Sequence, residues 1–469
     1  MTNSYLSFAT GVLLLLTTAT NAQNKIKYYF NKPVNTSVSK GVNAQYLNNC
    51  MGDTVVAYIN RSKYTLDIAV YNYTSTFPAI ATAVNNAHAR GVRVRWIYDS
   101  SSSNTGIPLL NGAINRTASP DASGSYNIMH NKFMIIDANS SNPADAIVWT
   151  GSSNWNSQQF NSDYNNAVVI QDQALAKAYR AHFNMMWGDT GLVPNKTLAK
   201  FGPDKTDLGN HIFTIEGKTV ELYFSPSDGV NNKILSALNT ANTDLYVGMS
   251  TFTYNSDASA MVSKKSAGVY VACIGDGSST SSSVSSALTS GLGSTFISYP
   301  GPVLYHNKFM IVDASNKCSD PLVLTGSHNW TVSADTKNDE NTLIIHDDTA
   351  ANIYYQSFHA NFTSMGGSLS SITDCITETE TLVAATPSIT ITPNPANGVL
   401  NINYSIVTAM PVSIEIFDSF GRLATRSYLS DNEPAGHHRY SVALPNAGVY
   451  LVRVTTPLGT TTAVATSVD

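Results

Sequence analysis

Charged residues are scarce in this chain. Lysine and arginine together number 27, aspartate and glutamate 32, and the net charge of the 469 residues is −5, with no run of basic residues. A protein that gains its affinity by neutralising many nucleic-acid phosphates needs a dense basic surface. The composition therefore argues against that class, although it leaves room for a local basic groove.

Cysteines and metal-binding patterns are also few. The sequence has no C-x-x-C pair, no zinc-type spacing, no H-E-x-x-H and no cluster of carboxylates. These patterns give no sign of a metal site, and no metal or other cofactor is expected. The four cysteines are Cys50, Cys273, Cys318 and Cys375, and they allow three ways of forming two disulfides. For Cys273 a buried free thiol is the alternative.

Long apolar runs are missing, and the longest candidate lies near the first residue. Residues 11–16 read GVLLLL, and small residues precede Gln23. This run is too short to cross a bilayer and predicts a secretory signal peptide over residues 1–22, although no lysine or arginine precedes it. No later stretch is apolar enough to predict a transmembrane segment.

An internal duplication dominates the rest of the chain. Residues 130–137 read HNKFMIID and residues 306–313 read HNKFMIVD; each is followed by a companion, TGSSNW at 150–155 and TGSHNW at 325–330. The histidines are 306 − 130 = 176 positions apart and the companions 325 − 150 = 175. An offset of this length predicts two domain-sized halves rather than a solenoid.

The apolar run within each octapeptide predicts a short strand buried on both faces. Because alternate side chains of a strand share a face, His130 should lie beside Lys132, and His306 beside Lys308. A single H-x-K is usually a solvent-exposed histidine and lysine without a functional role. Two copies in matched contexts predict a functional site.

The segments around the motifs alternate between helix and strand patterns. The first half predicts helices at 51–62 and 77–90 and strands at 65–71 and 92–98. The second half repeats them, with helices at 233–240 and 258–266 and strands at 244–249 and 269–274. This alternation predicts an α/β fold with a largely parallel sheet and helices on both faces.

The pattern H-x-K-x4-D followed by G-S-x-N resembles the phospholipase D superfamily, over roughly residues 45–365. The resemblance implies two duplicated α/β halves, 23–200 and 201–376, packed around one site. It also implies hydrolysis of phosphodiesters in two steps, without a metal, through a phosphohistidine. The implied site residues are the two histidines as nucleophile and acid, with phosphate-binding or orienting partners: His130, His306, Lys132, Lys308, Asn154, Asn329, Ser152, Ser327.

The two halves are not identical in this pattern. The resemblance implies that Glu340 hydrogen-bonds a catalytic imidazole, but the aligned position in the first half is Asn165. The first half is therefore predicted to lack this carboxylate unless Asp163 reaches the site, which would leave His130 the less basic histidine. Asp137 and Asp313, which end the motif strands, are expected to hold local structure.

A change of composition marks the last part of the chain. Residues 377–389 are predicted to be a linker, and 390–469 contain short alternating strands typical of a small all-β sandwich. TPNPA at 392–396, IFDSFGR at 416–422 and AGVYLVRV at 447–454 resemble the C-terminal sorting domain of type IX secretion substrates. A sandwich that binds carbohydrate or protein is the alternative.

Together these features predict a secreted or cell-surface phospholipase D-type phosphodiesterase that uses the type IX secretion machinery. A phospholipid headgroup is the favoured substrate, and a nuclease, with nucleic acid only as substrate, is the alternative. An inactive binding module is disfavoured because both H-x-K pairs are intact. The sequence selects neither the attacking histidine nor hydrolysis over transphosphatidylation.

Overall fold

The structure, a computed structural model, describes residues 24–316, 319–369, 388–406 and 408–468. The predicted signal peptide, Cys318, Cys375 and nearly all of the predicted linker lie outside these ranges. The described residues fall into two compact units, 24–369 and 388–468.

The first half of the larger unit is built on one eight-stranded sheet. Its strands are β1 (Ile26–Phe30), β2 (Gln45–Tyr46), β3 (Thr65–Val70), β4 (Arg93–Tyr98), β5 (Asn115–Ala118), β6 (Lys132–Ile136), β7 (Ile147–Gly151) and β8 (Asn166–Ile170). Its helices are α1 (Met51–Asn60), α2 (Ala79–Ala89), α3 (Ser157–Asn161) and α4 (Gln173–Trp187). The strand order is β2-β1-β8-β7-β6-β3-β4-β5.

The second half has a sheet of the same size. Its strands are β9 (Ile212–Ile215), β10 (Lys218–Ser225), β11 (Asp244–Met249), β12 (Tyr270–Asp276), β13 (Phe296–Tyr299), β14 (Lys308–Val312), β15 (Leu322–Gly326) and β16 (Glu340–His346). Its helices are α5 (Val230–Asn239), α6 (Asn255–Ser266), α7 (Ser282–Leu292), α8 (Val332–Thr336) and α9 (Asp348–Ser364). The strand order is β13-β12-β11-β14-β15-β16-β10-β9.

The duplication is visible in the order of strands, which is the same in both sheets except at the edge formed by β2 or β9. Both sheets are mixed, so the prediction of a largely parallel sheet is wrong. The strands β3, β4 and β5 are parallel, whereas β6 is antiparallel to both β3 and β7, and β7 to β8. No long crossover helix separates β6, β7 and β8, and such connections favour antiparallel pairing.

One hydrophobic core joins the two halves. Phe133 and Ile135 on β6 pack in the same cluster as Phe309 and Ile311 on β14, together with the buried faces of α4 and α9. The intervening residues on each strand, such as Met134 and Met310, face a separate core within their own half. Each motif strand is therefore buried on both faces, as the sequence predicted.

The smaller unit is entirely β in its described residues. Its strands are β17 (Ser388–Thr392), β18 (Ala396–Asn397), β19 (Val399–Ile406), β20 (Met410–Asp418), β21 (Leu423–Glu433), β22 (Gly436–Ala443), β23 (Gly448–Thr456) and β24 (Gly459–Val468). They form a three-stranded sheet, β17-β19-β22, and a five-stranded sheet, β18-β24-β23-β20-β21. Leu400 and Ile402 of one sheet share a core with Ile414, Ile416 and Val452 of the other, which confirms a sandwich.

Two cysteines lie within the described residues, and both are free thiols. Cys50 is exposed, whereas Cys273 is buried on β12, where it packs as a small apolar side chain. None of the helices in the described ranges has the length and apolar character that a bilayer crossing requires.

Candidate active site

The two motif histidines occupy equivalent places, immediately before the strands β6 and β14. Lys132 begins β6 and its Nζ donates to the carbonyl of His130 at 2.8 Å; Lys308 begins β14 and donates to the carbonyl of His306 at 2.7 Å. All four side chains are buried. Each H-x-K pair is therefore held together by its own backbone.

The glycine of each G-S-x-N companion permits the close approach of two strands. A Cβ on Gly151 would lie 2.2 Å from the carbonyl oxygen of Asn166, and a Cβ on Gly326 would lie 2.2 Å from that of Asn341. Both oxygens belong to backbone that cannot move aside without breaking the ladder. Only glycine therefore allows β7 and β15 to pair with β8 and β16 up to the site.

Each imidazole is oriented by a residue of the opposite half. Nδ1 of His130 lies 2.9 and 2.8 Å from the two carboxylate oxygens of Glu340, so this nitrogen carries the proton and donates it. Nδ1 of His306 lies 3.0 Å from Oδ1 of Asn165. The prediction that His130 lacks a carboxylate partner is wrong, because the orienting residues cross between the halves.

The orientation of the Asn165 amide is fixed by its other contacts. Its Nδ2 donates to the carbonyl of Gln159 at 2.8 Å, and its Oδ1 also accepts from the hydroxyl of Ser152 at 2.8 Å. The oxygen must therefore face His306, which donates from Nδ1. Asp163 does not replace the missing carboxylate; its oxygens accept from the backbone of Leu304 and from Gln159.

The backbone crosses between the halves in the same way. His130 N donates to the carbonyl of Asp339 at 2.9 Å, and Asp339 N donates to that of Ile128 at 3.0 Å. At the equivalent place, Tyr164 N donates to the carbonyl of Leu304 at 2.9 Å. Residues from both halves therefore build one cluster at their boundary.

The motif serines support the orienting residues. Ser152 Oγ accepts from Asn166 N at 3.1 Å besides donating to Asn165, and Ser327 Oγ accepts from Asn341 N at 3.0 Å. Both hydroxyls are fully buried. Through these hydrogen bonds the two serines hold the strand residues beside the histidines in place.

The motif asparagines differ in their contacts. Asn329 Oδ1 accepts from Thr251 N at 3.2 Å, which leaves its NH2 group as a donor. Asn154 is buried, and its Oδ1 has no hydrogen-bond partner among the described residues.

Burial dominates the electrostatics of the cluster. It lowers the pKa of His130 and of His306 well below the ordinary value, and both lysines add to this effect. Burial also lowers the pKa of Lys132 to about 7 and that of Lys308 well below its usual range, while Glu340 acts in the opposite direction on both. A bound anion would favour the charged forms of all four groups.

The sequence did not predict two carboxylates that hold the backbone immediately before each motif histidine. Asp99 accepts from Met129 N and Asp276 from Tyr305 N, each at 2.8 Å, and these donors immediately precede His130 and His306. Both aspartates follow matched strand patterns, which was the available signal.

An aromatic side chain beside His130 was also missed, because the second half has no counterpart. The ring of Tyr71 lies 5.0 Å from that of His130, and Nζ of Lys132 lies 5.2 Å from its centre. Serine stands at the equivalent position, Ser250.

The motif aspartates hold the backbone of neighbouring strands. The carboxylate of Asp137 accepts from the amides of residues 63–65 at 2.7–2.8 Å, and Asp313 accepts from those of 242–244 at 2.8–3.2 Å. Their expected structural role is confirmed.

One group of three residues within the described ranges could hold a metal ion: Asp207, His211 and Asp228. None of them belongs to the two motifs or contacts the motif histidines. The cluster around His130 and His306 combines two buried lysines with the carboxylate of Glu340.

Comparison with known proteins identifies the duplicated region. The profile described as "Cardiolipin synthase, PLD-like domain" matches residues 55–187 and 234–362, more than half of the chain. The chain belongs to the phospholipase D-like family. A second profile, "Secretion system C-terminal sorting domain", matches residues 390–464.

Individual relatives of the phospholipase D-like region match over shorter spans. Mitochondrial cardiolipin hydrolase from Xenopus tropicalis is 33% identical over 132 residues, 27% of this chain and 56% of that protein. Phospholipase D from Rickettsia conorii is 34% identical over 100 residues, 21% of this chain and 46% of that protein. The chain thus spans about half the length of these curated relatives.

A solved structure supports the fold of both halves together. Phosphatidylserine synthase from Haemophilus influenzae superposes with a TM-score of 0.51 at 12% identity, covering 73% of this chain and 86% of that one. At this identity the likeness concerns the fold alone.

Proposed function

We propose that this phospholipase D-like protein is a phosphodiesterase that works without a metal through a phosphohistidine, with His130 as nucleophile and His306 as general acid. The observation that carries the assignment is the unequal orientation of the histidines. A carboxylate supports His130 and an uncharged amide supports His306.

In the first step, Nε2 of His130 attacks phosphorus while the bond from phosphorus to the leaving oxygen breaks. Nδ1–H of His130 stays bonded to Glu340, whose negative charge stabilises the positive charge that develops on the phosphorylated ring. The leaving oxygen takes the proton from Nε2 of the His306 imidazolium. Because Asn165 carries no charge, it leaves that imidazolium more acidic than a carboxylate would.

In the second step, neutral His306 takes a proton from water while the water oxygen attacks phosphorus. The bond from phosphorus to Nε2 of His130 breaks and the phosphomonoester is released. Both histidines are then in their starting protonation states. An alcohol in place of water would give transphosphatidylation by the same path.

The remaining motif residues bind the phosphoryl group in this proposal. Lys132 and Lys308 would place two positive charges at the non-bridging oxygens, and Asn154 and Asn329 would donate from their amides. Ser152, Ser327 and Glu340 orient these groups. Such a set provides the charge stabilisation that a metal ion would otherwise supply.

A phospholipid is the substrate that we favour. The names of the relatives, cardiolipin hydrolase and phospholipase D, support this class. The half-buried Tyr71 offers an aromatic face beside His130, where a headgroup could pack. A nuclease is the second candidate, and the net charge of −5 weighs against it.

Export is the role that we propose for the C-terminal unit. Its match to a secretion system sorting domain supports recognition by type IX machinery, and the apolar run at residues 11–16 supports a signal peptide over 1–22. Secretion or attachment to the cell surface would follow. Residues 377–389 would link this unit to two catalytic halves that meet near residue 200.

The decisive assay is hydrolysis of bis(4-nitrophenyl) phosphate, followed by phosphatidylcholine, cardiolipin and single-stranded DNA. We expect turnover of the synthetic diester and of at least one lipid, with little change in excess EDTA. Inhibition by EDTA that a divalent ion restores would contradict the metal-independent mechanism. Faster cleavage of DNA than of lipid would favour the nuclease.

A further inference from the structure

A third histidine lies next to this cluster, and the proposed mechanism does not use it. His328 is 2% exposed, and neither ring nitrogen makes a hydrogen bond of ordinary geometry within the described residues, although the backbone of Asn329 and Ala334 lies close enough to act on its pKa. Buried polar groups without partners are rare because they are costly. The first half has Ser153 at this position.

The register of β15 and β16, continued past the end of β15, leads to His328 and Glu340. Gly326 on β15 faces Thr342 on β16, and Ser327 N continues the pairing by donating to the carbonyl of Asn341 at 3.0 Å. β15 ends at Gly326, and the same register continued by two residues leads to His328 and Glu340. The two side chains are close enough for the charge of each to act on the pKa of the other.

The first half has the same register with different side chains. Gly151 faces Ala167, and Ser152 N donates to the carbonyl of Asn166 at 3.1 Å, so the same continuation leads to Ser153 and Asn165. These two positions therefore differ together between the halves. The second half has an imidazole and a carboxylate where the first half has a hydroxyl and an amide.

The carboxylate between the two imidazoles couples them. Both oxygens of Glu340 contact Nδ1 of His130. Burial raises the pKa of Glu340 and lowers that of His130, and a positive charge on His328 acts to lower both. Burial lowers the pKa of His328, and Glu340 and Asp335 on α8 act in the opposite direction. Lys132 lowers the pKa of both Glu340 and His130, and Lys308 lowers that of His130.

We propose that His328 is a positioning residue that acts electrostatically on Glu340 and His130 and sets the pH at which His130 becomes protonated. A proton on His328 is stabilised by Glu340 and opposes a second proton on His130. The His130 ring therefore stays neutral to lower pH. The consequence for catalysis rests on the proposed function, in which this ring is the nucleophile.

The test is a pH titration of histidine-labelled protein by NMR, with His130 assigned from a His130→Asn spectrum. His328→Asn removes the titrating ring and keeps a polar side chain, and His328→Ser copies the first half. We expect both variants to raise the pKa of His130 by about 0.5 unit or more, roughly a threefold change in proton affinity. An unchanged pKa in folded His328→Asn protein would overturn the proposal.

His359→Asn is the matched control, because His359 lies on α9 and contacts Asn35. It should leave the pKa of His130 unchanged; a shift equal to that of His328→Asn would also overturn the proposal. If the protein hydrolyses diesters, the acid limb of kcat/KM should move upward in His328→Asn, and a fixed limb would count against the inference. Absence of hydrolysis in the unmodified protein would instead contradict the proposed function and leave the NMR result standing.

Discussion

Glu340 holds His130 across the boundary between the two halves, with both carboxylate oxygens within 2.9 Å of Nδ1. The reciprocal contact joins His306 to the amide oxygen of Asn165 at 3.0 Å. Equivalent positions of a duplicated chain therefore carry different chemistry. The two histidines are unequal because their orienting residues are unequal.

Glu340→Gln tests the importance of the charge at the nucleophile. The amide keeps a hydrogen-bond acceptor but cannot balance the positive charge of a phosphorylated His130. We expect kcat to fall about 100-fold or more, with a smaller change in KM, as for other carboxylates that orient a catalytic histidine. Steady-state kinetics on bis(4-nitrophenyl) phosphate would measure this.

Asn165→Asp is the mirror control for that substitution. A carboxylate beside His306 raises the pKa of this imidazole and makes it a weaker acid. The alkaline limb of the profile should therefore move to higher pH. If Glu340→Gln and Asn165→Asp had the same effect, the assignment of unequal roles would be wrong.

The pH profile should be bell-shaped, because His130 must be neutral to attack and His306 must be charged to donate. Burial and the neighbouring lysines lower both imidazole pKa values in the free protein. A bound phosphodiester anion raises them again. We therefore expect the profile of kcat, which reports the complex, to lie at higher pH than that of kcat/KM. Coincident profiles would argue that the substrate does not contact these groups.

Lys308→Met should separate stability from activity. Burial holds the folded-state pKa of Lys308 well below the unfolded value, so folding releases a proton at any pH between these two values. The lowered pKa of the folded state reduces the free energy of unfolding. This destabilisation is largest below the folded-state pKa and disappears as the pH rises to the unfolded-state pKa. We expect the variant to be inactive yet more stable at pH 7, by on the order of 1 kcal/mol, with the difference vanishing near pH 10. Denaturant unfolding at both pH values measures it, and a loss of stability at pH 7 would contradict the argument.

Removal of the C-terminal unit should leave catalysis intact. Residues 388–468 have their own core, whereas the motif residues all belong to the larger unit. Protein truncated after residue 379 should keep its specific activity and its thermal transition. A folded but inactive product would show that the sandwich contributes to the site, contrary to the proposed role in export.

The sequence was sufficient to predict the two halves and most of their elements. The duplicated octapeptides located the buried strands β6 and β14, and the pattern at 244–249 predicted β11 with its observed bounds. The mixed sheets were not predicted, because apolar periodicity carries no information about strand direction. The crossing of Glu340 to His130 was also inaccessible, since it depends on how the halves pack. Alignment of the two halves identified Glu340 and Asn165 as the orienting positions. It assigned each to the histidine of its own half, whereas each contacts the histidine of the other half.

The most direct test of the central claim is mass spectrometry of protein quenched during turnover. His306→Asn should remove the acid and the base while leaving the nucleophile. With bis(4-nitrophenyl) phosphate, which loses 4-nitrophenolate without an acid, the peptide that contains His130 should therefore carry a trapped 4-nitrophenyl phosphoryl group. His130→Asn should trap none. A phosphoryl adduct on His306 in unmodified or His130→Asn protein, or no covalent adduct in His306→Asn protein that still releases 4-nitrophenolate, would contradict the account.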